Sequence, residues 1–314
     1  MTTIRIGSRK SKLAMWQSEF VAGLLNEQGV DTVIDAIETR GDQILDRSIA
    51  KIGSKGVFTE ELEEQLAGGV TDIAVHSAKD MQSQLPEGFE LIAFSLREQC
   101  HDVLVGSETG GRVDLAARPM RIGTSSVRRA ALLKRVYPHI EVTPMRGNLQ
   151  TRLAKLEAGD CDALMLAYAG VKRMGFEHRI VHEFAVEQFV PPVGQGCIAV
   201  EAATSLPEHK RALIRDIVND GDSEYCLLAE RAFLGRLQGG CSIPVFGHAT
   251  LDGDILTLVA GLTNLDGSWM MVETVRGKKD EAVSMGTAMG EKILTGGGRE
   301  VLAAIRGAQQ APEA

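Results

Sequence analysis

Residues 121–152 read RIGTSSVRRAALLKRVYPHIEVTPMRGNLQTR. The window carries Arg121, Arg128, Arg129, Lys134, Arg135, Arg146 and Arg152 against one acid, Glu141, in a chain of formal net charge -8. A planar guanidinium binds both oxygens of a carboxylate or phosphate at once. Two turns concentrate these groups. Gly123-Thr124-Ser125-Ser126 follows a short strand pattern and opens a helix, and the free N–H groups of a helix start favour an anion. Met145-Arg146-Gly147-Asn148 repeats the arrangement, with Asn148 as N-cap of the helix that carries Arg152. Arg128, Arg129, Arg146 and Arg152 therefore read as anion ligands, whereas Lys134 and Arg135 read as a solvated face.

Lys79-Asp80 forms a second candidate pair. It follows the apolar strand Ile73-Ala74-Val75 through the polar residues His76 and Ser77, at that strand's carboxyl end. A carboxylate beside a crevice of arginines stays ionised, because nearby positive charge lowers its pKa. It can then stabilise a cation or relay a proton. Arg9 and Ser11 follow the first strand in the same way. Open α/β sheets bind ligands outside the carboxyl ends of their strands, so all these sets can face one crevice.

Cys241 lies in Gln238-Gly239-Gly240-Cys241-Ser242-Ile243-Pro244, a loop with the access that a nucleophile or covalent attachment point needs. From residue type alone a buried thiol is an equal alternative. Cys100, Cys161, Cys197 and Cys226 read as buried thiols, with no CxxC spacing. Gly194-Gln195-Gly196-Cys197-Ile198-Ala199 matches GxGxxA. It follows Pro191-Pro192 and precedes a strand pattern, so it reads as a hinge and not as a dinucleotide loop. His178 and His182 are four apart and could share a metal on a helix, but no third ligand accompanies them, and an exposed pair is the better reading.

The chain has 314 residues, 44% hydrophobic and 24% charged, as in ordinary globular proteins. An acidic total and 4% aromatic content disfavour nucleic-acid binding. No apolar run approaches the ~20 residues that span a bilayer. The N-terminal MTTIRIGSRKSK has no apolar core of a secretory signal.

The elements that must position these residues alternate as strand and helix. Strands are expected at 4–7, 32–38, 73–76 and 91–94, then at 103–105, 121–123, 141–145, 163–167 and 197–202. One face of the first helix carries Leu13, Gln17, Phe20, Val21 and Leu24. Residues 41–56, polar and glycine-spaced with Lys51 and Lys55, read as a mobile loop. This alternation predicts two doubly wound α/β units, joined near 95–100 and again after Pro191-Pro192, with sheets of parallel strands. Such a two-crossover hinge resembles clamshell, type II periplasmic-binding-protein-like folds. Past Ser223 a helix, the Cys241 loop, three strands at 245–252, 255–262 and 269–275 and two further helices predict a small α+β unit with a three-stranded antiparallel sheet. The expected division is 1–97 with 193–217, then 98–192, then 218–314.

The constellation resembles the porphobilinogen deaminase (hydroxymethylbilane synthase) family. The matching stretches are IGSRKSKLAMWQ at 6–17, TRGD at 39–42, KGVFTEELE at 55–63 and VHSAKD at 75–80. They continue with GTSSVRRAALL at 123–133, RGNLQTRLAKL at 146–156, AGVKRMG at 169–175, PPVGQG at 191–196 and GGCSIPV at 239–245. They keep their order along nearly the whole chain. Met81-Gln82 departs from the apolar-proline pair that usually follows Lys-Asp in the family.

The resemblance implies a cytoplasmic, monomeric transferase of tetrapyrrole (porphyrin and heme) biosynthesis. It would join four porphobilinogen molecules head to tail, release ammonia and yield hydroxymethylbilane, with no metal, nucleic-acid or membrane partner. By the same resemblance Cys241 carries a dipyrromethane cofactor covalently, and Asp80 and Lys79 are catalytic. Asp80, Lys79, Ser77, Thr124, Ser126, Arg128, Arg129, Arg146 and Gly147 hold the cofactor. Arg9, Ser11, Arg146, Arg152, Arg173 and Gln195 bind substrate. Each pyrrole ring brings two carboxylates, so a local arginine cluster in an acidic protein suits a growing polyanion. The rival reading is a non-catalytic clamshell receptor for a small polyanion, which leaves the Cys241 loop without a purpose.

Overall fold

The computed structural model describes residues 2–39, 59–108, 113–115, 119–240 and 242–310. The polar stretch 41–56, with Lys51 and Lys55, lies outside them, as does Cys241.

The first sheet contains β1 (Thr3–Arg9), β2 (Asp31–Ile37), β3 (Ile73–Ser77), β4 (Phe89–Phe94) and β10 (Ile198–Ala203), in the order β2-β1-β3-β10-β4. The second contains β5 (Asp102–Val105), β6 (Arg121–Gly123), β7 (Glu141–Thr143), β8 (Ala163–Ala167) and β9 (Ile180–Glu183), in the order β7-β6-β8-β5-β9. Both are mixed rather than wholly parallel. β10 runs antiparallel to β3 and β4, and β5 runs antiparallel to β8 and β9. The reason is the route of the chain. It leaves β4 at the carboxyl ends of the parallel strands, arrives at the second sheet on that same side, and must run back along β5. The return through residues 184–197 into β10 repeats the manoeuvre.

Helices α1 (Lys12–Glu27), α2 (Glu60–Ala67) and α6 (Glu208–Val218) accompany the first sheet, and α3 (Val127–Val136), α4 (Leu149–Glu157) and α5 (Tyr168–Arg173) the second. Ile4, Ile6, Val21, Leu25, Ile73, Val75, Val200 and Ile214 form one core; Leu104, Ile122, Leu133, Met165 and Phe189 form another. Along α1 the buried residues are Ala14, Gln17, Ser18, Val21, Ala22 and Leu25, so the inward stripe is rotated from the expected one and Phe20 is exposed. Small side chains set that choice, because they let α1 lie close against β1 and β3, and Ser18 donates to Ser8 Oγ at 2.8 Å.

The third layer begins with α7 (Gly221–Leu237), followed by β11 (Val245–Asp252), β12 (Ile255–Thr263) and β13 (Met270–Lys278), an antiparallel meander. Helices α8 (Ala282–Ile293) and α9 (Arg299–Gln310) complete it. Phe233, Leu256, Leu258, Leu262 and Ile293 are buried in its core. An ion pair ties this layer to the crossovers. Glu230, fully buried on α7, accepts from both Arg97 terminal nitrogens and from the backbone N–H groups of Gly194 and Ala249. With its lone pairs filled by four donors, a buried carboxylate of this kind is tolerable where an unpaired one would not be.

Candidate active site

Two helix starts and one short turn face each other across the crossovers. Ser126 caps α3, accepting from Arg129 N at 3.4 Å, and Asn148 caps α4, accepting from Thr151 N at 2.9 Å. Ser125 locks the two turns together: its Oγ donates to Met145 O at 2.8 Å and accepts from Met145 N at 3.0 Å. Thr124 Oγ1 accepts from Ser126 N. Gly147 takes φ +107°, and a Cβ there would lie 2.6 Å from the Thr151 side chain, so glycine is required where Arg146 turns into α4. Arg152 Nε donates to Gly147 O at 2.8 Å.

The single 3-10 turn Ala78–Asp80 stands at the carboxyl end of β3. Lys79 is half-buried and Asp80 exposed. Lys79 Nζ donates to Gln195 Oε1 at 3.3 Å. Gln195 is fully buried, and its Nε2 donates to Cys100 O at 2.6 Å and to Asp102 Oδ1 at 3.0 Å. Asp102 in turn accepts from Arg128 at 2.6 Å and from Arg129 Nε and a terminal nitrogen at 3.1 and 2.7 Å. A continuous polar chain thus runs from Lys79 on the first sheet, through the hinge, to two arginines of the second. Burial alone would raise the Asp102 carboxyl, but the two guanidiniums hold it well below the usual range. Burial lowers Lys79 to about 8, an effect that Asp80 opposes and Arg129 reinforces.

Arg152 faces the same space. Burial lowers its pKa, Arg129 and Arg146 add to that effect, and Asp80 opposes it, so the four charges share one field across the crevice. Arg173 is drawn to the hinge instead: it donates to Gly196 O at 2.7 Å and its guanidinium lies 5.5 Å from the Trp16 ring centroid. Ser11 caps α1 through Ala14 N, and Ser77 accepts from Gln17 Nε2 at 2.8 Å. Arg9 is half-buried at the end of β1. Gly194 has φ +78°, and a Cβ there would come within 2.9 Å of the backbone of Ala78 and Lys79. This close approach seats the hinge directly on the Lys79-Asp80 turn. The flanks of position 241 are braced by α9: Arg306 donates to Leu237 O and Gln238 O, and Gln309 donates to Ser242 O.

The structure therefore brings Lys79, Asp80, Arg129, Arg146, Arg152 and Gln195 together. It gives Arg128 and Arg129 a shared buried partner, Asp102, that sequence reasoning passed over; an acid opening the apolar strand Val103-Leu104-Val105 was the available signal. His178 and His182 lie on a 3-10 turn and on β9, not on one helix. Cys100, Cys161, Cys197 and Cys226 are buried thiols. Lys134 and Arg135 are exposed, with Arg135 donating to Gly267 O. Among the described residues no helix is long and apolar enough to cross a membrane, and no group of three or more His, Cys, Asp or Glu is placed to hold a metal ion.

The two mixed five-stranded sheets, joined by paired crossovers, and the three-stranded antiparallel sheet define an α/β protein with an added antiparallel layer. Solved structures similar to it include Lactococcus lactis GlnP substrate binding domain 2 in open conformation, 12% identical, covering 69% of this chain and 88% of that one with a TM-score of 0.44. The Bordetella pertussis BvgS VFT2 domain double mutant F375E/Q461E is 16% identical, covering 69% and 85% with a TM-score of 0.41. Sequence comparison is more specific. Residues 4–211 match the family described as "Porphobilinogen deaminase, dipyromethane cofactor binding domain", and residues 224–295 match "Porphobilinogen deaminase, C-terminal domain". The porphobilinogen deaminase of Desulfosudis oleivorans is 56% identical over 96% of this chain and 98% of its own length. That of Cytophaga hutchinsonii is 48% identical over 97% of each. The chain belongs to the porphobilinogen deaminase family. Its activity is that of a porphobilinogen deaminase (hydroxymethylbilane synthase), a transferase of tetrapyrrole biosynthesis, and it carries that family's dipyrromethane-cofactor-binding domain.

Proposed function

We propose that the crevice between the first and second sheets performs stepwise head-to-tail condensation of four porphobilinogen molecules, with Asp80 as the catalytic carboxylate. The observation that carries this reading is the bonded chain from Lys79, next to Asp80, through Gln195 and Asp102 to Arg128 and Arg129. It ties the turn that bears Asp80 to a bank of cations. The arginines suit the acetate and propionate groups of substrate and product. They cannot stabilise the cation that ammonia loss leaves on an incoming pyrrole. Asp80 can, and it can accept the pyrrole N–H as well.

The donor set also fits a dipyrromethane. Among the described residues Arg128 Nε is buried with no hydrogen-bond partner, and the capped starts of α3 and α4 add backbone N–H groups. Ser77, Thr124, Ser126, Arg128, Arg129, Arg146 and Gly147 would hold its carboxylates, with Lys79 and Asp80 at the reacting end. When bound through a thioether at Cys241, the group supplies a permanent primer, which makes each addition effectively intramolecular. Arg9, Ser11, Arg152, Arg173 and Gln195 complete the reading as substrate residues. Gln195 and Arg173 act there through Lys79 and the hinge.

The same reading divides the chain into 1–97 with 193–217, 98–192 and 218–314, and takes it as a cytoplasmic monomer. Neither a metal nor a nucleic acid enters the chemistry. Intact mass tests the attachment. Purified protein should exceed the sequence mass by two linked pyrroles, and Cys241→Ser should lose both the adduct and activity. Fully active protein of bare-chain mass would overturn it.

A further inference from the structure

Among the described residues no side-chain hydrogen bond fixes the Asp80 carboxylate, so its place depends on the backbone of its turn. Two residues on, Gln82 is tied on three sides. Its Nε2 donates to Thr59 Oγ1 at 3.2 Å and to Glu63 Oε1 at 3.3 Å, and its carbonyl accepts from an Arg231 terminal nitrogen at 2.8 Å. Thr59 Oγ1 also donates to Glu63 at 2.7 Å, which closes a small ring of bonds at the start of α2. Thr59 and Glu63 are buried, and Arg231 comes from α7 of the third layer. Between Asp80 and Gln82, Met81 is buried against Ala78, Phe94, Cys197, Ala199 and Leu227.

We propose that Gln82 is a positioning residue for the condensation reaction: it straps the Lys79-Asp80 turn to α2 and α7 and so holds the Asp80 carboxylate in register with the crevice arginines. The strap rests on the assignment of Asp80 above. An amide is suited to this place because Nε2 offers two donors to the two acceptors, Thr59 and Glu63, while the backbone carbonyl remains for Arg231. A leucine keeps the volume and loses both donations, leaving Glu63 with one fewer donor in a buried setting. A displaced reacting group is costly even at small amplitude, because catalysis depends on alignment.

The test compares Gln82→Leu, Thr59→Val and their double variant with wild type and Asp80→Asn, all as full-length, cofactor-loaded protein. Single-turnover ammonia release, KM and Tm are read for each. Gln82→Leu should load cofactor normally, keep KM and lower the release rate by about tenfold, the rate equivalent of roughly one hydrogen bond. Thr59→Val should show a related loss, and the double variant should fall short of the product of the two. A wild-type release rate in folded, loaded Gln82→Leu, with only Tm reduced, overturns the strap. Should Gln82→Leu fail to fold, a wild-type rate in Thr59→Val overturns it equally. Slow release by Asp80→Asn alongside wild-type release by Gln82→Leu removes the strap alone, whereas wild-type release by Asp80→Asn removes the reading beneath it.

Discussion

Lys79 Nζ donates to Gln195 Oε1 at 3.3 Å, a bond that joins the turn beyond β3 to the returning crossover. Burial lowers this lysine from 10.5 to about 8. The unfolded chain therefore holds more protons between those values, and the stability owed to this group rises as pH climbs from about 8 towards 10.5. Activity should move in the opposite sense if the ammonium binds carboxylate: kcat/KM should fall as pH rises through about 8. Lys79→Arg, which stays charged, should lose that limb. A pH profile of kcat/KM for the two proteins checks this. A limb near pH 8 that persists in Lys79→Arg would assign it elsewhere.

Asp102 accepts from both Arg128 and Arg129, and all three are buried. Asp102→Asn keeps the shape and leaves two guanidiniums without their counter-charge. It should destabilise the protein by roughly 3–5 kcal/mol, the usual cost of breaking a buried pair from one side. Because the carboxyl is held below its ordinary 3.8, wild-type stability from this group is present above that value and lost as pH falls below it. Acid unfolding of the variant should accordingly be shallower. Urea titration at neutral and acidic pH measures both effects.

Arg152 and Lys134 separate ligand from surface. Arg152 shares the field of Asp80 and Arg146, while Lys134 is exposed on α3. Arg152→Leu should impair cofactor loading or chain growth by about 1.5–3 kcal/mol, the value of one charge-assisted contact. Lys134→Leu should leave turnover unchanged. Loading by mass and product formation by absorbance check the pair; equal turnover in the two variants would contradict the division.

The sheets were legible because short continuous apolar runs such as Ile73-Ala74-Val75 and Ala163 to Ala167 alternate with helical patterns and polar turns. Ser11 and Asn148 were readable as caps for the same local reason. The direction of β5 and β10 was not, because strand polarity is set by where the chain crosses between sheets and not by residue type. The crevice arginines could be found by their charge in an acidic chain. Their pairing could not: an acid opening an apolar strand singles out Asp102, but it meets Arg128 and Arg129 only after β5 has entered the second sheet beside β8. Glu230 was hidden likewise, since its donors Arg97, Gly194 and Ala249 come from three distant segments. Long-range polar satisfaction is a property of topology, whereas caps and strand ends are local.

Single-turnover ammonia release by folded, cofactor-loaded Asp80→Asn tests the central claim most directly. The substitution keeps the shape of the turn and removes the charge that faces Arg152. Loss of one preorganised electrostatic partner commonly lowers a rate by about 100- to 1000-fold. The account predicts a near-normal Tm, a normal cofactor mass and release slowed to that extent, with Asp80→Glu retaining more activity because its charge is displaced and not lost. Release at the wild-type rate by Asp80→Asn would show that another group meets the pyrrole cation, and the mechanism would have to be reassigned.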